Sequence, residues 1–593
     1  MFYELEFRAL FLFNFLGWIN LLLLASGVSA KSDGTSIALR PRFLPREQLT
    51  TLPLIIRRSP AEPTKVVVNA TSTINATQPN ITQANAGWSA VTQGADKQSY
   101  YVLMKIGGIN FRLVLDTASS DLWVVSSGCE TETCKSLPKY PLDYSSPTFQ
   151  SVNENLTAFG ESFGDGTYAN GFVAMEEIEM GGLTVSGQAM GFVTNSSVVL
   201  ADQESGIVGM GFQRLSTVSS KVATSTTLLS RLVQQGLPYP MFGLSLNRQG
   251  GSLSLGAIDA SIVTSPHNLS WNSVTEFSPF GAESNASSYL HWAIPLSSFS
   301  VNGTQLTPIP SQAAATRNMS LALLDVGTFG MYGPFQDVVR LYDMIDGARL
   351  VDADSGQWIV PCTTNILLSF TFGSREYFLR PEDYIIGPAS GNPNLCLSWP
   401  RGLPLSSDGI DWQMGSAFLQ TVYSVFSYGI DRREPPKIGL YPLNDNQTNI
   451  TSGSTQMSST VFAPQTTIDT TLPNFLVPTP TFTTPPYTFN TSVPASLGGI
   501  VSSGLASSTY RPILVEASAT MGFNASAIPT VSPAPLVVTV TMSDGKTSVT
   551  TLSNAKVTLG VPPGSSGAIG VRVSYSLFHA VLMMLCVGII MQV

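Results

Sequence analysis

Charge is scarce in this 593-residue chain: Asp, Glu, Lys and Arg together make up 12% of it. No basic stretch can track a phosphate backbone and the formal net charge is −9, which argues against nucleic acid as a partner. Histidine is scarcer still, with only His267, His291 and His579. No G-x-S-x-G elbow accompanies them, so a Ser-His-Asp hydrolase has no support. No H-E-x-x-H or C-x-x-C pattern offers a metal site, and the glycines of MGGLTVSGQAMG lack the strand-then-helix setting of a dinucleotide loop. No cofactor is expected. Long helical patterns are few, TLLSRLVQQG (227–236) and FQDVVRLYDMI (335–345) being the best. There are five cysteines, one of which, Cys586, lies in an apolar C-terminal tail. The other four, Cys129, Cys134, Cys362 and Cys396, are an even number that fits two disulfides in a secreted chain.

What is present is a hydrophobic content of 43%, enough for a sizeable core. The first 30 residues carry an apolar run from Leu10 to Leu24 and small residues up to Ala30, as in a cleaved signal peptide. Glu4 and Glu6 outweigh Arg8 in the leading segment, and an uncleaved anchor is the alternative. Residues 31–58 end on Arg57-Arg58 and read either as a pro-segment or as a stretch with two surface arginines. Residues 59–98, rich in Thr, Ala and Asn, read as a solvated, glycosylated segment. N-x-S/T sequons recur from Asn69 to Asn524. From Tyr100 to about Leu443, runs of strand length alternate with Gly-containing turns: YYVLMKIGG, FRLVLD, GSLSLGAID, ILLSFTFGS. That pattern predicts a mainly β globular unit. Residues 444–566 are dominated by Ser, Thr and Pro and read as an extended stalk. Residues 567–593 follow small residues with an apolar tail, the order of a GPI-attachment signal. A transmembrane helix is the alternative, and no Lys or Arg follows the tail.

Two segments resemble each other. FRLVLDTASSDLWV (111–124) and LALLDVGTFGMYG (321–333) are each an apolar strand ending on Asp, then a small-residue turn with a hydroxyl. Each is followed, after a nearly equal interval, by an apolar pair and glycine: GIVGMG with Gly209 and WQMGSAF with Gly415. Matched flanks and spacing indicate an internal duplication. These residues resemble the pepsin-like aspartic peptidases across about 99–443. The Ser/Thr stalk and tail make the chain most similar to fungal cell-surface, yapsin-like members. The resemblance implies a bilobal fold, two related β-rich lobes (99–245 and 246–443) around a cleft. It implies Asp116 and Asp325 as a catalytic dyad, supported by Thr117, Ser119, Gly327 and Thr328. It implies a substrate-covering hairpin with Phe163, Gly164 and Asp165, set near Trp123. It also implies pairing of Cys129 with Cys134 and of Cys362 with Cys396. Two carboxylates about 3 Å apart cannot both ionise cheaply, so one proton serves both and water is the nucleophile.

Three residues depart from that family's pattern. Ala118 stands where glycine is usual; left-handed backbone there would cost about 1–2 kcal/mol. Val326 replaces a hydroxyl residue that would lock the loops from the other side. Phe163 replaces a tyrosine whose hydroxyl contacts the Trp123 position. The expected activity is that of a monomeric, acid-optimal aspartic endopeptidase on polypeptides, held at the outer membrane face or cell wall by a GPI anchor. The alternative is a surface glycoprotein with impaired catalysis that binds peptide or serves in the wall.

Overall fold

The computed structural model describes residues 85–444 with short breaks, together with 510–514, 525–533, 537–541, 547–551 and 557–564. The expected signal peptide, the Arg57-Arg58 site and the apolar tail lie outside the described residues. No helix among the described residues is long and apolar enough to cross a membrane.

Strands dominate, as the alternation of apolar runs and glycine turns predicts. The elements that build the site are β1 (Ile109–Asp116), β2 (Leu122–Val125), β3 (Ala158–Ser162), β4 (Tyr168–Met180), β5 (Glu204–Gly209), β6 (Ser320–Leu324), β7 (Met331–Pro334) and β8 (Ile410–Met414). β1 pairs parallel with β5, and β2 pairs antiparallel with β5. In the second half β6 pairs parallel with β8, and β7 pairs antiparallel with β8. The duplication read from sequence is thus a duplication of topology. These strands are buried almost throughout, β5, β6, β7 and β8 at every residue.

The two lobes share one sheet. Its path runs through Ser270–Ser273, Lys437–Pro442, Val422–Ser427, Met241–Ser245, Gly251–Leu255, Gly87–Gln93 and Tyr100–Ile106 before reaching β1. The chain therefore returns from its second lobe to close the floor beneath both. An eight-stranded sheet containing β6–β8 and a four-stranded sheet carrying Cys396 complete the second lobe. Helices fall at Leu228–Gln234 and Phe335–Tyr342, within the two helical patterns of the sequence. Disulfides join Cys129 to Cys134 and Cys362 to Cys396.

Two boundaries differ from the sequence reading. The body starts before residue 99: Gly87–Gln93 pairs with both Gly251–Leu255 and Tyr100–Ile106. Its sequence, GWSAVTQ, hides this strand because Val91 is its main buried apolar side chain, beside buried Ala86. Part of 444–566 also lies against the body rather than extending as stalk. Tyr510, Leu514, Ile528 and Val531 are buried. Thr530–Val531 adds a parallel strand beside Ile258–Asp259. The backbone N–H of Ile513 donates to Glu434 Oε2 at 3.1 Å, and Lys437 Nζ donates to the Leu514 carbonyl at 3.1 Å. Glu434 and Lys437 are both buried, so this strap supplies hydrogen-bond partners to two buried polar side chains.

A chain ending at residue 443 would lack those partners and uncover the body surface on which Tyr510, Leu514, Ile528 and Val531 pack. It is expected to lose about 3 kcal/mol or more against the full chain. Urea unfolding of the two forms checks this; equal midpoints would show that the strap contributes nothing.

Candidate active site

Each aspartate stands where a buried strand stops. β1 runs in register with β5 until Asp116 faces Gly209. The chain then turns back, and its backbone is tied across: Met210 N–H donates to the Asp116 carbonyl and Gly211 N–H to the Ser119 carbonyl, both at 2.7 Å. In the second lobe Asp325 N–H donates to the Met414 carbonyl at 3.1 Å and Ser416 N–H to the Thr328 carbonyl at 3.0 Å. The two glycines are required by contact. A β-carbon on Gly209 would lie 2.6 Å from the Asp121 nitrogen, and one on Gly415 would lie 2.2 Å from the Thr328 carbonyl oxygen.

The loops meet at the junction of the lobes, where the Asp116 carboxyl lies close enough for its charge to act on Asp325. Each is braced in the same way. Ser119 Oγ donates to Asp116 Oδ2 and Thr328 Oγ1 to Asp325 Oδ2, both at 2.6 Å. Ala118 N–H donates to Asp116 Oδ1 at 2.9 Å and Gly327 N–H to Asp325 Oδ1 at 3.0 Å. Asp116 is 7% exposed and Asp325 5%, so neither is sealed from solvent. Burial first, then the neighbouring Asp116 charge, pushes the Asp325 carboxyl up to about 7. Bonds from Thr328 and Gly327 pull the other way without overcoming this.

The lobes are locked from one side. Thr117 Oγ1 donates to the Leu324 carbonyl at 3.0 Å and accepts from Val326 N–H at 3.1 Å. It also lies 3.3 Å from Asp325 Oδ1. Val326, lacking a hydroxyl, is buried in the main apolar core. Ala118 does not occupy the left-handed region, where the described non-glycine residues are Asn, Lys, Glu, Gln and Arg. No backbone strain attends it, and its side chain packs on a second-lobe cluster of Leu290, Ala293, Leu321, Leu323 and Ile410. The equivalent Gly327 has no such freedom: a β-carbon there would lie 2.7 Å from Asp116 Oδ1.

β3 and β4 form a hairpin whose tip is residues 163–167. Phe163 N–H donates to the Thr167 carbonyl at 2.8 Å, and Asp165 Oδ1 accepts from Thr167 N–H at 2.9 Å. Gly166, rather than Gly164, takes the positive φ that the turn requires. Phe163 packs against the cluster containing Trp123. Trp123 is fully buried and its Nε1 has no hydrogen-bond partner. Sequence reasoning missed Glu161. Burial, and then the charges of Asp121 and Asp116, push its carboxyl well above the ordinary range. An acidic residue in a strand otherwise facing an apolar cluster was the available signal.

A family model described as eukaryotic aspartyl protease matches residues 99–437. An aspartic protease of Phaffia rhodozyma is 29% identical over 350 residues, covering 58% of this chain and 77% of that protein. Major aspartyl peptidase 1 of Cryptococcus neoformans is 27% identical over 392 residues, covering 63% and 71%. Cathepsin D of Dictyostelium discoideum is 27% identical over 354 residues, covering 58% and 85%. The chain belongs to the eukaryotic aspartyl protease family, whose members are aspartic-type endopeptidases.

Proposed function

We propose that this chain cleaves extended polypeptides at acid pH with a water activated by Asp116 and Asp325. The observation that carries the reading is the pair of matching braced carboxyls, each at the end of one of two duplicated strands and each within electrostatic reach of the other. The raised Asp325 holds the shared proton and donates it to the scissile carbonyl oxygen. The partner carboxylate accepts a proton from the attacking water. No covalent intermediate forms. Thr117, Ser119, Gly327 and Thr328 hold the pair, and the Phe163–Asp165 hairpin with Gly164 covers substrate. The unstrained backbone at Ala118 and the intact Thr117 bonds favour a working enzyme over a peptide-binding glycoprotein with impaired catalysis. The N-terminal apolar run, the sequons and the C-terminal tail favour secretion, GPI attachment and a yapsin-like place on a fungal cell surface.

Asp116→Asn is expected to lower kcat by about 10²–10⁴-fold on an unstructured protein substrate at pH 4, without changing the fold. Wild-type cleavage falls as pH rises through about 7, where the raised Asp325 loses its proton. Retained turnover in the Asn variant would refute the dyad.

Stability follows the same direction. Asp325 is pushed up to about 7, Asp337 and Asp408 to about 6, and Asp121, Glu161, Asp411 and Glu434 also upward, all chiefly by burial. Buried His291, held down to about 4, acts oppositely. The folded chain therefore keeps protons on carboxyls that the unfolded chain releases above pH about 4. That stability is present in acid and lost as pH climbs from about 4 to about 7. Melting temperatures across this range check it; a protein more stable at pH 7 than at pH 4 would contradict it.

A further inference from the structure

Glu161 sits on β3 between Phe159 and Phe163. Residues two apart on a strand share a face. Phe159 and Phe163 both pack against the apolar cluster that contains Trp123. Glu161 lies between them on that face. Its Oε2 is buried and has no hydrogen-bond partner, and the same is true of Trp123 Nε1. The carboxyl lies near enough to the indole N–H to be influenced by it, though not aligned as a hydrogen bond. An orphan acceptor and an orphan donor thus stand side by side at the base of the hairpin. Each orphan carries a desolvation penalty that pairing removes.

The surroundings limit what else Glu161 can engage. It feels the charges of Asp121 and Asp116. Asp121 is already occupied: Thr217 N–H donates to its Oδ2 at 2.6 Å and Thr217 Oγ1 at 2.8 Å, with Ser216 Oγ on Oδ1. Asp116 is held by Ser119 and Ala118. Lys221 spends its ammonium on the Ala158 carbonyl at 2.8 Å, at the outer end of β3. Asp165 at the hairpin tip accepts from Thr167. Phe163 has no hydroxyl with which to reach the indole. The donor that bears on Glu161 is Trp123.

We propose that Glu161 is a positioning residue of the hairpin: its carboxyl closes onto the Trp123 indole N–H and anchors residues 163–167 beside the aspartate pair. A neutral carboxyl suffices, because its carbonyl oxygen accepts the bond. The anchor restrains the hairpin in the substrate-bound state, so its loss falls on kcat/KM and on hairpin opening rather than on global stability. This deepens the dyad reading and rests on it.

The test uses the full chain and two readouts: kcat/KM at pH 4, and hydrogen exchange of the 158–168 backbone amides. Exchange reports the anchor even if nothing is cleaved, so failure of the dyad and failure of the anchor are distinguishable. Glu161→Gln keeps an acceptor and is expected to hold kcat/KM within about threefold, with exchange unchanged. Glu161→Leu fills the space with apolar atoms and is expected to lower kcat/KM about tenfold to a hundredfold and speed exchange. Adding Phe163→Tyr to Glu161→Leu gives Trp123 a hydroxyl partner and restores most of both. The proposal is overturned by unchanged exchange in Glu161→Leu, by a Gln variant as impaired as the Leu variant, or by a double variant no better than Glu161→Leu alone.

Discussion

Two buried carboxyls, Asp116 and Asp325, close enough for one charge to act on the other, are the constraint on which this molecule is organised. Their mutual repulsion, when both are charged, grows as solvent is withdrawn. The fold answers with a ring of donors. Ser119 and Thr328 meet Oδ2 of each aspartate, and the backbone N–H groups of Ala118 and Gly327 meet Oδ1. Each donor is delivered by a turn that a parallel strand pair forces to reverse. The geometry around the two aspartates is thus a product of strand topology, not of flexible loops.

The same logic explains which departures from the family pattern are tolerated. Ala118 keeps an ordinary backbone and turns its methyl group to an apolar cluster of the other lobe. Val326 gives up a hydroxyl but joins the core, while its N–H still meets Thr117. Only the third departure leaves a group unsatisfied, because Phe163 gives Trp123 Nε1 nothing to bond. The unusual residue nearby is Glu161, which would be costly in that setting without a role.

Much of this was legible in the sequence. The two Asp turns and their distant glycines were visible because a duplicated motif carries its own control. The cysteines could be counted, and the helical patterns had clear periodicity. What escaped notice was hidden by composition. Gly87–Gln93 contributes Val91 to the core and looks like the polar segment before it. The strap hides Tyr510, Leu514, Ile528 and Val531 within a Ser/Thr-rich tract. Glu161 left only a weak signal, an acidic residue between Phe159 and Phe163, because a strand's alternation says which residues share a face, not which face is covered. Burial of all three depends on contacts far away in the chain.

The proposed sharing of one proton between Asp116 and Asp325 can be tested directly. Carbon-13 NMR of the aspartate carboxyls, titrated from pH 2 to pH 9, follows Asp116 and Asp325 without requiring turnover. The account predicts two widely separated protonation steps that both disturb the same pair of resonances, the upper one close to neutrality, and both lost when either aspartate is replaced by asparagine. Two independent carboxyls titrating together near pH 4, each indifferent to replacement of the other, would contradict it.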